Sequence, residues 1–236
     1  MKNKYFGDIR DLFKYDLILR ITQGMISIHR FLFIPMLTSD DNNSDGRKTD
    51  YTKAKAGTQN KSLMSYLKDC VDRNRRNITE IEPYFESNGV EIYIHKELFV
   101  HKNRKDYFSR VKIKKEFFSN SLVFIDPDIG LEIQQAKDKH FFYREAKDIY
   151  DYMDENSILM IYQHIPRENH KEYFRRSTNE LKNVTEDLPI YISDNEIIFF
   201  LLTKSGEVKD QLQRIINKYN GDYPKLCCWD SLLCSE

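Results

Sequence analysis

The sequence predicts an α/β fold built on a mostly parallel sheet that closes with an antiparallel hairpin. Three observations lead there. First, Phe31–Leu37 (FLFIPML), Leu122–Asp126 (LVFID) and Ser157–His164 (SILMIYQH) are short apolar runs with the length and composition of strands buried on both faces. Second, segments with helical apolar spacing separate these runs, the arrangement that makes neighbouring strands parallel. Third, Pro189–Ser193 and Glu196–Thr203 flank Asp194-Asn195, a turn signal between two strands.

The elements follow in order. Asp8–Thr22 places Ile9, Leu12, Phe13, Leu17, Ile18 and Ile21 at helical spacing, with Asp8 as the capping residue and Asp11 and Lys14 on or beside the polar face. The strand Phe31–Leu37 ends near Pro35, because proline cannot donate inside a central strand. A polar loop spans 38–58, and its length marks it as functional or mobile. Ser62–Val71 is a helix. Arg73–Ser87 keeps helical spacing at Ile78, Ile81 and Phe85 with Pro83 as an interruption. Val90–His95 alternates as a strand, and Arg104–Phe118 is a helix. After the central strand come a helix over Phe141–Met153, the strand ending at His164, a charged helix over Arg167–Lys182, the hairpin, and a last helix over Val208–Tyr219. One domain over 1–236 is expected, with a short Cys-rich tail at 224–236.

Composition narrows the function classes. The 37 Lys and Arg balance the 37 Asp and Glu, so no global field draws the chain to a polyanion, although Lys96–Lys115 holds eight basic residues against two acids. That run is read as a solvated helix face or as a contact to a phosphate backbone. Three of the four cysteines (Cys227, Cys228 and Cys234) crowd the tail and lack a second pair at zinc spacing, so reduced thiols are expected. Neither GxGxxG nor GxxxxGK[ST] occurs, and no histidine pair has HExxH spacing. MKNKYFGDIR has no apolar signal core, and no apolar run approaches a membrane span. A cytoplasmic protein without a membrane partner is expected.

The chemistry is expected around SLVFIDPDIGLE (Ser121–Glu132), where a buried strand ends on Asp126 and the chain turns through Pro127, Asp128, Ile129 and Gly130 to Glu132. Open α/β sheets bind ligands outside the carboxyl ends of their strands. Tyr162, Gln163 and His164 end the next strand and are candidate substrate contacts if the two strands are neighbours, with Arg167 placed to hold a phosphate. Asp45-Gly46-Arg47 reads as a turn.

Two blocks carry a family resemblance. YFGDIRDLFKYDLILRI (5–21) and LVFIDPD (122–128) resemble the opening and the LVLIDPP strand of bacterial enzymes that methylate adenine N6 in large-subunit ribosomal RNA. The resemblance implies a Rossmann-like, class I methyltransferase-like sheet and transfer from S-adenosylmethionine to an unstacked base. It implies Asp126 and the Pro127 carbonyl as acceptors for the target amine, Asp128 in the same motif, and Lys14 at the active-site mouth. Gly7 and Asp8 would lie near the cofactor, and Glu82 is the candidate acid for its ribose. Asp128 stands where the family has a second proline, Ile129 where it has a stacking aromatic, and the acidic loop SDDNNSDG where methyltransferases carry small glycines.

Two other classes remain open. Asp126, Asp128 and Glu132 could hold Mg²⁺ in a metal-dependent nuclease, with Gln134 at the place of a motif lysine. The fold could also serve as a non-catalytic component of a bacterial genome-defence assembly, binding protein partners or a second copy of itself.

Overall fold

The computed structural model describes residues 1–40, 46, 48–133, 138–166 and 168–228. The elements are α1 (Ile9–Gly24), β1 (Arg30–Ile34), α2 (Lys61–Asp72), α3 (Glu82–Ser87), β2 (Glu91–Ile94), α4 (Arg104–Val111), β3 (Ser121–Ile125), α5 (Tyr143–Tyr152), β4 (Ile158–His164), α6 (His170–Thr185), β5 (Ile190–Ser193), β6 (Ile197–Leu202), α7 (Gly206–Asp222) and β7 (Cys227–Cys228). The strands form one seven-stranded sheet in the order β2-β1-β3-β4-β6-β5-β7.

The sheet is α/β and mixed rather than mostly parallel. β2, β1, β3 and β4 pair in parallel, whereas β4–β6, β6–β5 and β5–β7 are antiparallel. The parallel half arises because helices separate its strands in sequence. The antiparallel half arises because β5 and β6 are joined only by Asp194–Glu196, with Asn195 at φ +68°. Such a tight connection permits only antiparallel pairing.

Alternation along the strands feeds two cores. Phe31, Phe33, Phe124, Met160 and Phe199 point to the face covered by α1, α2 and α7. Leu32, Ile34, Val123, Ile161 and Phe200 point to the face covered by α4, α5 and α6. With both faces buried, these strands contain almost no polar residue until they reach their ends.

Several expectations change in detail. Pro35 lies just beyond β1, as its missing N–H requires. Pro83 does not interrupt a helix: it sits in the first turn of α3, where no backbone donor is needed. The helix expected over Arg104–Phe118 stops at Val111, and a separate 3-10 turn covers Lys115–Phe118. The polar face expected on α1 is not solvated, since Asp11, Lys14 and Asp16 are all buried. No helix among the described residues is long and apolar enough to cross a membrane.

Candidate functional site

From β1 the chain crosses to β2 on one side and then returns to β3 on the other, so the strand order reverses between β1 and β3. Backbone leaving these two strands diverges there and opens a crevice. A cavity of about 760 Å³ occupies this point. Asp126, Pro127, Asp128 and Ile129 line it from the end of β3, Tyr162 and His164 from β4, and Asp8, Arg10, Asp11 and Lys14 from the start of α1. Met1, Lys2, Tyr5, Gly46, Lys48 and Lys139 complete the wall.

The end of β3 is held from both sides. Asp126 N–H donates to Ile34 O at 3.0 Å, carrying the β1–β3 pairing one residue past the strand. The following turn needs Gly130, whose φ is +91° and whose missing Cβ would fall 2.0 Å from Gln163 Oε1. Gln163 is buried; its carboxamide accepts from Leu131 N–H and donates to His164 O. Gln163 therefore fixes the turn to β4 and does not line the cavity.

At the floor, Lys14 Nζ lies between two carboxylates, 2.8 Å from Asp11 Oδ1 and 2.7 Å from Asp126 Oδ2. Asp11 Oδ2 accepts from Gly7 N–H at 2.8 Å. Burial opposes a charge on Lys14, but Asp11 and Asp126 outweigh it and hold the ammonium well above its ordinary value. One ammonium cannot neutralise two carboxylates, and burial pushes Asp11 up despite its contact with Lys14. The Lys14 ammonium also lies 5.1 Å from the Tyr162 ring centroid and 5.6 Å from that of Tyr15. Asp126 Oδ1 has no hydrogen bond among the described residues.

The upper wall is also charged. The Met1 ammonium donates to the carbonyls of Pro35 (3.1 Å), Met36 (3.2 Å) and Asp126 (3.5 Å) and lies 3.7 Å from Asp128 Oδ1. Burial pulls this amine down to about 6 against the opposing pull of Asp126 and Asp128. Burial alone would raise Asp128, yet the Met1 ammonium and Lys139, at 3.2 Å, keep it below the usual carboxylate range. Tyr162 OH and His164 Nε2 are 3.0 Å apart. Burial, and then the Arg10 guanidinium, push His164 down to about 4, so its ring is neutral at pH 7.

Of the residues singled out from sequence, the fold brings together Asp126, Pro127, Asp128, Lys14, Asp8, Tyr162 and His164. Asp8 caps α1, accepting from Arg10 N–H at 3.0 Å. Gly7 stands behind the wall: its φ of +82° and its N–H set the position of Asp11. Glu82 is outside the cavity and pairs with Lys96 at 3.0 Å. Asp126, Asp128 and Glu132 do not converge on a metal position, because Glu132 Oε1 instead accepts from Tyr143 N–H at the start of α5 (3.2 Å); no metal-holding group occurs among the described residues. Asp45, Arg47, Gln134, Arg167 and Cys234 fall outside the described residues. Sequence reasoning missed Asp11, Arg10, Met1 and Lys139. Asp11 had a readable signal, since it lies three positions before Lys14 on one helix face. Lys139 reaches the site only through tertiary structure.

No family model, curated protein or solved structure matches the chain.

Proposed function

We propose that this crevice binds S-adenosylmethionine and directs methyl transfer to an exocyclic amine of an unstacked nucleic-acid base. The observation that carries the reading is the place of Asp126. It ends a strand flanked by parallel neighbours, lines the cavity where the strand order reverses, and keeps one carboxylate oxygen without a partner among the described residues.

S-adenosylmethionine supplies an electrophilic methyl group on a sulfonium, so the protein's task is alignment more than acid–base work. Asp126 Oδ1 and the Pro127 carbonyl accept from the amine N–H groups, aiming the nitrogen lone pair. Lys14 holds Asp126 Oδ2, which fixes the orientation of the carboxylate. Ile129 and Tyr5 line the cavity where a base needs an apolar or aromatic surface.

Isothermal titration with S-adenosylmethionine, followed by tritium transfer from labelled cofactor to RNA, tests the reading. Binding is expected for the wild type, for Asp126→Asn and for Asp126→Ala. Transfer is expected to fall at least about a hundredfold in Asp126→Ala and less in Asp126→Asn, which retains an acceptor. Absence of heat at millimolar cofactor rejects it.

A further inference from the structure

Past β2 the chain remains at the carboxyl edge of the sheet. Leu98 bridges Leu37 in parallel register, and Phe99 N–H donates to Leu37 O at 2.6 Å, so the segment after β2 runs beside the segment after β1. The chain then enters α4, whose first turn is tied to the cavity rim. Arg104 is buried, pairs with Glu145, donates to the Asp138 carbonyl at 2.8 Å and packs 3.8 Å from the Phe142 ring centroid. His101 Nε2 lies 3.2 Å from Asp138 Oδ1. The next residue, Lys139, lines the cavity. A fixed surface thus leads from the mouth onto the start of α4.

The charge on that surface is one-sided. Glu82 is taken by Lys96, Glu97 by Arg110, Asp138 by His101 and Asp128 by Lys139. Lys102 and Lys105 are exposed, and neither has a carboxylate within 4.0 Å among the described residues, although Asp106 is on the same turn. Beside them Leu98 and Val100 are 54% and 50% exposed. Glu82, Glu97, Asp128 and Asp138 are engaged elsewhere, which leaves Asp106 as the acid facing Lys102 and Lys105, and two aliphatic side chains face water beside them. Zero net charge makes any attraction local to such a patch.

The geometry points to Lys102 and Lys105 as a track for the phosphate backbone of a single-stranded nucleic acid at the cavity mouth. Exposed Leu98 and Val100 offer apolar contact to unstacked bases, which a duplex does not present. Only the entry of a base into the cavity rests on the methyl-transfer reading. Lys112 and Lys114 belong to the same basic run but leave α4 at its other end, where they lie 5.2 Å from the Tyr152 ring centroid and 5.3 Å from that of Tyr93. They are not part of the track.

Fluorescence anisotropy with a labelled, mixed-sequence single-stranded RNA and no added cofactor tests this on the full chain. Binding that weakens with salt is expected. Lys102→Gln with Lys105→Gln should lower the slope of log K against log salt by about 1.4, and Lys112→Gln with Lys114→Gln should leave it unchanged. Both pairs are surface changes, and circular dichroism verifies the fold of each. Equal losses in the two double variants overturn the track, as do salt-independent binding and tighter binding to duplex RNA or phosphatidylserine vesicles. A silent cofactor titration beside RNA binding that maps to Lys102 and Lys105 rejects methyl transfer and keeps the track; the converse result rejects the track alone.

Discussion

Helix α1 buries two carboxylates, Asp11 and Asp16, and satisfies them in opposite ways. Asp16 is 1% exposed and, among the described residues, meets only neutral donors: Asn60 Nδ2 at 2.8 Å, Tyr219 OH at 2.8 Å and, more loosely, Tyr223 OH at 3.5 Å. These donors come from beside α2 and from α7, so the network joins three helices over one face of the sheet. Asp11 is 2% exposed and meets a backbone N–H and an ammonium that is shared with Asp126 across the cavity floor. Neutral donors satisfy a buried carboxylate without bringing a second charge out of water. An ion pair brings two and returns stability only when geometry is good. The first arrangement suits a fastening. The second keeps charge and an unfilled acceptor beside open space, which is what a binding site requires.

The sharpest way to break this contrast is to remove the shared cation. Lys14→Met leaves Asp11 and Asp126 buried without their partner, and about 3–5 kcal/mol of stability should be lost in urea unfolding at pH 7. The loss should shrink toward pH 4, where Asp11, raised by burial, can take up a proton in the variant. A loss below about 1 kcal/mol would mean that water already screens the floor and that the triad is not a sealed network.

His164 tests the wall of the same cavity by pH. Its ordinary value near 6.5 falls to about 4 in the fold, so the unfolded chain binds the proton first as pH drops. Stability attributable to the neutral ring is complete above pH 6.5 and is lost between there and pH 4. It amounts to at most about 3 kcal/mol. His164→Gln should flatten this part of the pH–stability curve, and the wild-type imidazole should remain neutral by NMR at pH 5.5. An imidazolium already present at that pH removes the claim.

Much of the fold could be read from the sequence because both faces of the sheet are covered. Phe31–Ile34, Leu122–Ile125 and Ile158–Ile161 are unbroken apolar runs, and the last two give way within one or two residues to Asp126 and Gln163. The end of β3 was readable for the same reason: Asp126 is the first charge after a fully buried strand. The polar side of α1 misleads for a physical reason. Helical spacing reports which residues share a face but not whether that face meets water or a polar cavity, and here Asp11 and Lys14 turn inward. Gln163 looked like a substrate contact because it ends a strand beside Asp126; its carboxamide is instead consumed in holding the Gly130 turn. Glu82 lies at the correct edge of the sheet, but Lys96 engages it away from the cavity. The mixed character of the sheet was half visible. The hairpin signal at Asp194-Asn195 fixes β5 against β6, yet nothing local says that β6 inserts next to β4.

On the other side of the comparison, Asp16→Asn should cost about 1–3 kcal/mol, because the new amide keeps one acceptor and turns its NH₂ toward donors. A loss as large as that of Lys14→Met would place an unrecognised charge in the network. Cofactor binding, read by the titration above, should not change.

The smallest effect is expected for Tyr219→Phe. It removes the 2.8 Å hydroxyl contact to Asp16 and keeps the ring, which stacks on Phe13 with centroids 5.9 Å apart. The carboxylate retains Asn60 and can shift toward Tyr223, so about 1 kcal/mol should be lost. The lost hydroxyl also reports on Tyr223. In the double variant Tyr219→Phe/Tyr223→Phe the loss should exceed the sum of the single losses, because only then does Asp16 keep a single side-chain donor. Additivity would show that the 3.5 Å contact carries no weight, and would reduce the fastening on α1 to the Asn60 and Tyr219 bonds. The corresponding test cannot be run on Asp11, where the donor is itself a charge and its removal is the largest change of the series.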